Sequence, residues 1–302
     1  MRTIKAIKEI LSECKKVDSH VHTHLCDGKP EMTVKNIAAT ASERGIDCVI
    51  LTPHFHKRVS DFSETLYSDS KEDLFFALRD EIERYEREDG RIKFLLSTEA
   101  DILSDGGETS LALSYEAEKQ LDLVTPTVNY HPLLPLKFVH LTYGKDVNGL
   151  HESGEYKAAA ESLGGVDRVL ETYYQTQVNA IANCPYTSML GHFFAAHSVH
   201  PDKYTWFGAA PEHIEIMKDG ASRVISQCKR SNALVDLTGV HLGKGEAVHE
   251  RMIKNGFLVD FQRFVMWECH KLDVSAYWGS DAHSLSHLGE SHDYYLRIKG
   301  TD

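Results

Sequence analysis

Histidines and acids recur at one kind of position along this chain, directly after short apolar runs. The densest group is Asp18-Ser19-His20-Val21-His22-Thr23, followed by His24 and Cys26-Asp27-Gly28. Residues two apart on a β-strand share a face, so His20 and His22 can aim their imidazoles at one point. Asp27 lies in a glycine-containing turn that could return its carboxylate to the same place. Two imidazoles and a carboxylate suit a divalent ion of the zinc, manganese or iron kind. Further ligand-type residues close later apolar runs: His54, Glu99, His131, His192, and Asp281 with His283. A lone histidine after a strand is more often structural, but six of seven predicted strands end this way. Such repetition points to a shared metal centre. No Gly-x-Ser-x-Gly elbow offers a competing nucleophile.

The elements that must position these groups follow from hydrophobic periodicity. Apolar, mostly short runs over 17–23, 47–52, 92–98, 121–128, 187–190, 233–237 and 274–278 predict seven strands. Amphipathic stretches over 3–16, 31–44, 71–88, 112–120, 156–183, 211–231 and much of 246–272 predict helices, with a break expected at Gly164-Gly165. Alternation of this kind makes an α/β protein with a parallel sheet. Acids and histidines after the C-terminal ends of strands favour a barrel over an open sheet, because barrels build their sites there. The expectation is a single domain over 1–302, with 132–165 and 193–210 as insertions or active-site loops. No Gly-x-Gly-x-x-Gly or phosphate-loop motif supports a nucleotide fold.

Composition narrows the partners. A net charge of −12 argues against a general nucleic-acid binder, which needs a basic surface. The same charge leaves a phosphorylated substrate dependent on local positive charge, which bound metal ions would provide. No apolar run approaches the ~20 residues that cross a bilayer. The amphipathic N-terminus is not a signal peptide, so the expected location is the cytoplasm. The six cysteines are scattered without Cys-x-x-Cys spacing and read as reduced thiols.

Taken in order, Asp-x-His-x-His-Thr, Cys-Asp-Gly, Thr-Pro-His, a strand-terminal Glu, a strand-terminal His, Leu-Gly-His and Gly-Ser-Asp-Ala-His resemble the polymerase-and-histidinol-phosphatase (PHP) superfamily. The resemblance runs from residue 18 to about residue 290. It implies a distorted seven-stranded (β/α)7 barrel with two to three divalent ions (Zn, Mn or Fe). It assigns His20, His22, Glu99 and Asp281 to one ion, and Asp27, His54 and His283 to a second. His131 and His192, with Glu99 bridging, would hold the third. Ions so placed make hydroxide available at neutral pH and clamp the charge of an in-line displacement at phosphorus. The expected reaction is hydrolysis of a small phosphomonoester by a metal-bridging hydroxide, with Asp281, Glu99 and His283 serving catalysis as well as binding. Single-domain length and Leu190-Gly191-His192 are closest to the histidinol-phosphatase branch, hence to histidine biosynthesis.

Weaker assignments surround that centre. Asp18 is expected to orient a ligand histidine. His24 and His56 would line the mouth, where either could protonate a leaving group. Arg58, Lys203, His241 and Lys244, together with Arg168, are candidates to hold the substrate phosphate. Phe193, Phe194, Tyr204 and Trp206 would wall the pocket; left exposed, they would mark a subunit contact and an oligomer. The same scaffold could instead cleave phosphodiesters, nucleotides or lactones, and a non-enzymatic metal-binding domain is the remaining alternative.

Overall fold

The computed structural model describes residues 1–26, 28–55, 71–128, 154–194, 211–238 and 256–299. Short strands carry the fold: β1 (Val17–Val21), β2 (Cys48–Leu51), β3 (Lys93–Leu96), β4 (Glu99–Asp101), β5 (Thr125–Thr127), β6 (Met189–Leu190), β7 (Leu234–Asp236) and β8 (Ala276–Tyr277). They form three ladders, β1-β2-β3, β4-β5 and β6-β7-β8, each parallel. Isolated parallel bridges join one ladder to the next, His54 with Glu99, Val124 with Ser188, and Val21 with Ala282. Across the last of these, Ser19 N–H donates to Trp278 O, Asp281 N–H to His20 O and His22 N–H to Ala282 O. The first and last strands are therefore neighbours.

The third predicted strand is two. Pro53 follows β2 and has no N–H with which to extend the β2–β3 ladder. Its carbonyl accepts from Glu99 N–H, the next bond along after Ser97 N–H to Leu51 O, and from the Thr98 hydroxyl. From Glu99 onward the chain also pairs with β5 on its other side, as β4. In β5 the missing donor of Pro126 spares the β4–β5 ladder, where Thr125 N–H bonds Thr98 O; it falls on the β6 side, where Val124 N–H bonds Thr187 O and Pro126 O accepts from Gly191 N–H. Predicted strands overran observed ones where a buried apolar run makes single bonds or an isolated bridge but no continuous ladder. Leu121, Leu123 and Val124 are at most 1% exposed yet precede β5.

Helices fill the connections. In α1 (Ile4–Ser12) the Thr3 hydroxyl caps Ala6 N–H, and in α2 (Val34–Glu43) Thr33 caps Asn36 N–H, supplying partners for otherwise orphaned donors. Next come α3 (Asp73–Glu88) and α4 (Tyr115–Gln120), then α5 (Gly154–Ser162) and α6 (Val166–Asn183). The last two are separated at Gly164 and Gly165, both with positive φ, as expected. Beyond them lie α7 (Ile214–Ser231), α8 (Gly256–Lys271) and α9 (Glu290–Lys299); α9 was not anticipated from the sequence. No helix among the described residues is long and apolar enough to cross a membrane.

One buried cluster matters for the site. Val17, Ile50, Leu95, Leu123, Met189 and Leu234 come from six strand runs and meet Ile7 and Leu11 of α1. Because they sit toward the strand starts, they form an apolar floor beneath the strand ends. Two larger clusters lie between strands and helices, one around α2 and α3 and the other around α6, α7 and α8.

Candidate metal centre

At the end of β1 the strand period turns His20 and His22 inward together, and both are fully buried. Glu99 opens β4 opposite them, also fully buried. Its Oε2 lies 3.3 Å from His20 Nε2, 3.4 Å from His22 Nε2 and 3.1 Å from His54 Nδ1. Its Oε1 lies 3.5 Å from His192 Nδ1. Asp281 faces it, with Oδ1 2.8 Å from His22 Nε2 and 3.8 Å from both His20 Nε2 and His192 Nε2. The His283 ring stacks on His22 at 4.0 Å, and its Nδ1 lies 2.8 Å from Asp281 O. A proton on Nδ1 satisfies that carbonyl and leaves Nε2 with a lone pair.

Backbone strain accompanies the cluster. His192 and Asp281 both occupy the left-handed region, at φ 52° and 53°. Side chains other than glycine adopt it at a cost of order 1–3 kcal/mol, usually where function requires it. The other two such residues, Asn232 and Asp273, follow α7 and α8, where this conformation is routine.

Burial alone would discharge these groups, yet they keep their charges by pairing. Desolvation opposes the His20 imidazolium, but hydrogen bonds to Asp236 and Glu99 outweigh it and push its pKa up to about 10. Desolvation likewise opposes ionisation of Glu99, but His54, His192 and His20 hold its carboxyl well below the usual range. Five imidazoles and two carboxylates crowded this closely have the composition of a divalent-metal site. Three sets of donor atoms, each converging within 4.8 Å, meet the requirement for a shared ion: His20-His22-Glu99, His22-His54-His283 and His20-His192-Asp281. The residues therefore fit such ions.

A second layer holds the cluster. Asp236, the last residue of β7, accepts hydrogen bonds from His20 Nδ1, Ser19 Oγ, Thr238 and His192 N–H. Asp18 meets backbone and hydroxyl donors in place of the expected imidazole. It accepts from Ser280 N–H and Oγ at 2.8 and 2.6 Å and from Gly289 N–H at 2.7 Å, while His20 N–H is only marginally close at 3.5 Å. Its carboxylate thus ties down the loop bearing Asp281 and His283 and orients no imidazole. Burial raises its pKa to about 6 against those donors. Cys26 Sγ lies 3.8 Å from His22 Nδ1.

Comparison with known proteins separates fold from activity. No protein-family profile matches the chain, and no curated protein is similar in sequence. Among solved structures, the histidinol phosphate phosphatase of Lactococcus lactis, complexed with zinc, L-histidinol and phosphate, aligns at TM-score 0.55 and 13% identity. That alignment covers 94% of this chain and 92% of the other. A candidate histidinol phosphatase from Listeria monocytogenes aligns at TM-score 0.58 and 16% identity, over 93% of this chain and 100% of its own. This is the histidinol-phosphatase fold.

On the histidinol-phosphatase fold the remaining sequence assignments divide. His20, His22, His54, Glu99, His192, Asp281 and His283 are brought together. Asp27, His56, Arg58, His131, Lys203, His241 and Lys244 lie outside the described residues, as do Tyr204 and Trp206. His24 is partly buried, with Nδ1 3.3 Å from Met32 O and Nε2 3.3 Å from Glu81 Oε1 of α3. Arg168 is exposed on α6 and paired with Glu171 one turn on. Phe193 and Phe194 do not wall a pocket or mark a subunit contact. Both are fully buried, packed edge to face on each other, with Phe194 against Phe261 and Trp278. The residue that sequence reasoning missed is Asp236. The available signal was a single acid inside the apolar run 233–237. A cavity of about 670 Å³ between α8, α9 and β8, lined by Trp267, Tyr277, Trp278 and Tyr295, includes none of the cluster residues.

Proposed function

We propose that the chain is a metal-dependent phosphomonoesterase of the histidinol-phosphatase kind, acting on a small phosphorylated metabolite. One observation carries the reading, the convergence of five imidazoles and two carboxylates from separate strand ends onto Glu99 and Asp281. The bridges between ladders support a closed, distorted seven-stranded barrel in which β3 and β4 are one bent strand. Two to three divalent ions would be held there, one by His20, His22, Glu99 and Asp281. Asp27, His54 and His283 would hold a second, with His131, His192 and Glu99 holding the third. When bound, such ions supply Lewis acidity and an activated water at neutral pH.

The chain's own residues do the rest. The apolar floor and the fully buried His20, His22 and Glu99 exclude water from below. His54 and His283 retain 13% and 28% of their side-chain exposure, so substrate enters on their side. Asp18 fixes the Asp281 loop through Ser280 and Gly289. Arg58, Lys203, His241 and Lys244 are the side chains assigned to the substrate phosphate, and of His56 and His24, His56 is the one assigned to protonating the leaving oxygen, because His24 is turned to Met32 O and Glu81.

The test is phosphate release from L-histidinol phosphate beside a panel of sugar, amino-acid and nucleotide phosphates. Zinc or manganese is supplied, and Asp281→Asn serves as the inactive control. Turnover of histidinol phosphate alone, abolished in the control, is the expected result. Turnover confined to other monoesters would keep the reaction and replace the substrate. Silence across the panel with metal bound would overturn the phosphomonoesterase and favour diesters or lactones.

A further inference from the structure

Asp236 carries no place in the metal sets above, yet it is the most heavily hydrogen-bonded carboxylate near them. It ends β7 and is fully buried. Its Oδ2 lies 3.0 Å from His20 Nδ1 and accepts from the His192 backbone N–H at 3.2 Å. Its Oδ1 accepts from Ser19 Oγ at 2.9 Å, Thr238 N–H at 3.0 Å and Thr238 Oγ1 at 2.5 Å. Four of these partners can only donate or are oriented to donate, and all of them converge on one anion. The ionised form is the one that satisfies them.

We propose that Asp236 is the positioning residue of the metal centre, setting the tautomer of His20 and the backbone of His192 with a single carboxylate. The inference rests on the metal reading above. With Asp236 Oδ2 beside it, His20 Nδ1 keeps its proton, so Nε2, which faces Glu99 and Asp281, is the nitrogen that gives up its proton when an ion binds. The other contact of Oδ2 helps hold His192 at its left-handed φ of 52°, a conformation that is costly for a side chain other than glycine. Groups from β1 and β6 are thereby registered by a residue of β7, a strand that supplies no ligand in that reading.

An amide cannot replace this carboxylate. Placed toward Oδ2, the Asn nitrogen would face His192 N–H and force His20 to the opposite tautomer, with its proton on Nε2 where the ion should bind. Placed toward Oδ1, it would face Thr238 N–H and the two hydroxyls. The experiment measures zinc affinity of the purified protein by competition with a chromophoric chelator, for wild type, Asp236→Asn and Asp122→Asn. Asp122 is a fair control. It is a buried carboxylate that accepts from Arg2, Arg79 and Leu96 N–H, and it is in none of the metal sets.

Asp236→Asn should lose about 10–100-fold in zinc affinity, the usual effect of removing a carboxylate behind a ligating histidine. Asp122→Asn, even if less stable, should bind zinc as wild type does. Nitrogen-15 spectra of the zinc-loaded wild type should show His20 protonated at Nδ1. Should Asp236→Asn fail to fold, Ser19→Ala leaves the carboxylate and removes one Oδ1 donor, and a several-fold loss of zinc affinity is expected. Equal zinc affinity in wild type and in whichever Asp236-side variant folds would overturn this inference and leave the metal reading standing. A wild type that binds no zinc or manganese would overturn both.

Discussion

Gly279 provides a quantitative test of how tightly the site is built. A methyl group there would lie 2.2 Å from Thr238 Oγ1, 2.5 Å from His20 Cβ and 2.8 Å from Asp236 Oδ1. Against an ordinary contact of 3.4 Å, these fall short by about 1.2, 0.9 and 0.6 Å. None of the three can retreat freely. His20 Cβ is rooted in β1, and the Thr238 and Asp236 oxygens are bonded to each other. Gly279→Ala must therefore shift β8 away from β1 or push Asp236 off Ser19 and Thr238. Overpacking of this kind costs about 1–3 kcal/mol. For a chain of 302 residues each 1 kcal/mol moves Tm by about 1.6 °C, so metal-free Gly279→Ala should melt about 2–5 °C below wild type. Its zinc affinity should fall as well, because two of the displaced atoms lie on or behind His20. The assays are scanning calorimetry of the metal-free protein and chelator competition. Gly256→Ala is the control, since a methyl at that first residue of α8 meets nothing within 4 Å and Gly256 has no positive φ. A Gly279→Ala protein matching Gly256→Ala in both Tm and zinc affinity would refute the packing described here.

Two further outcomes separate structural roles from chemical ones. A methyl on Gly220 of α7 would lie 2.1 Å from the ring of Tyr174, which is fully buried on α6. The helix gains about 1 kcal/mol from alanine, but overpacking of about 1–3 kcal/mol outweighs it. Gly220→Ala should lower Tm with unchanged zinc affinity, and calorimetry beside chelator competition checks both. His24→Gln should keep turnover within about tenfold of wild type, because its two ring nitrogens are directed at Met32 O and Glu81. A fall of about 10²–10⁴ in kcat would instead make His24 the leaving-group acid.

Much of this arrangement was legible in the sequence because it is local. Alternation in β1 announced that His20 and His22 share a face, and the apolar runs located the strand ends that bring His54, His192, Asp281 and His283 together. What failed was non-local. Glu99 was expected at the end of a strand and instead begins one, because from Glu99 onward the chain pairs with β5, a partner set by a segment 26 residues further on. Asp18 was expected to orient a neighbouring imidazole, but its partners are Ser280 and Gly289, which local spacing cannot reveal. Asp236 carries no motif; its meaning comes only from which neighbours donate to it. Phe193 and Phe194 followed a candidate ligand and so read as pocket walls. Direction of burial, which decides the matter, is a property of the packed helices α6 and α8.

The neighbouring positions of β1 and β8 also set a timetable. Asp18 is 262 residues from Ser280 and 271 from Gly289. At synthesis rates of about 5–20 residues per second, the ribosome needs on the order of 10–50 s to make that intervening chain. Through this interval His20 and His22 exist without Asp281, and the strand that flanks them has not been made. A nascent chain that stops short of Asp281 can offer an ion isolated imidazoles but not the completed cage, so selective loading would have to follow synthesis of that segment. The supply of free metal from that point on, and not earlier in elongation, would then decide which ion the proposed centre acquires.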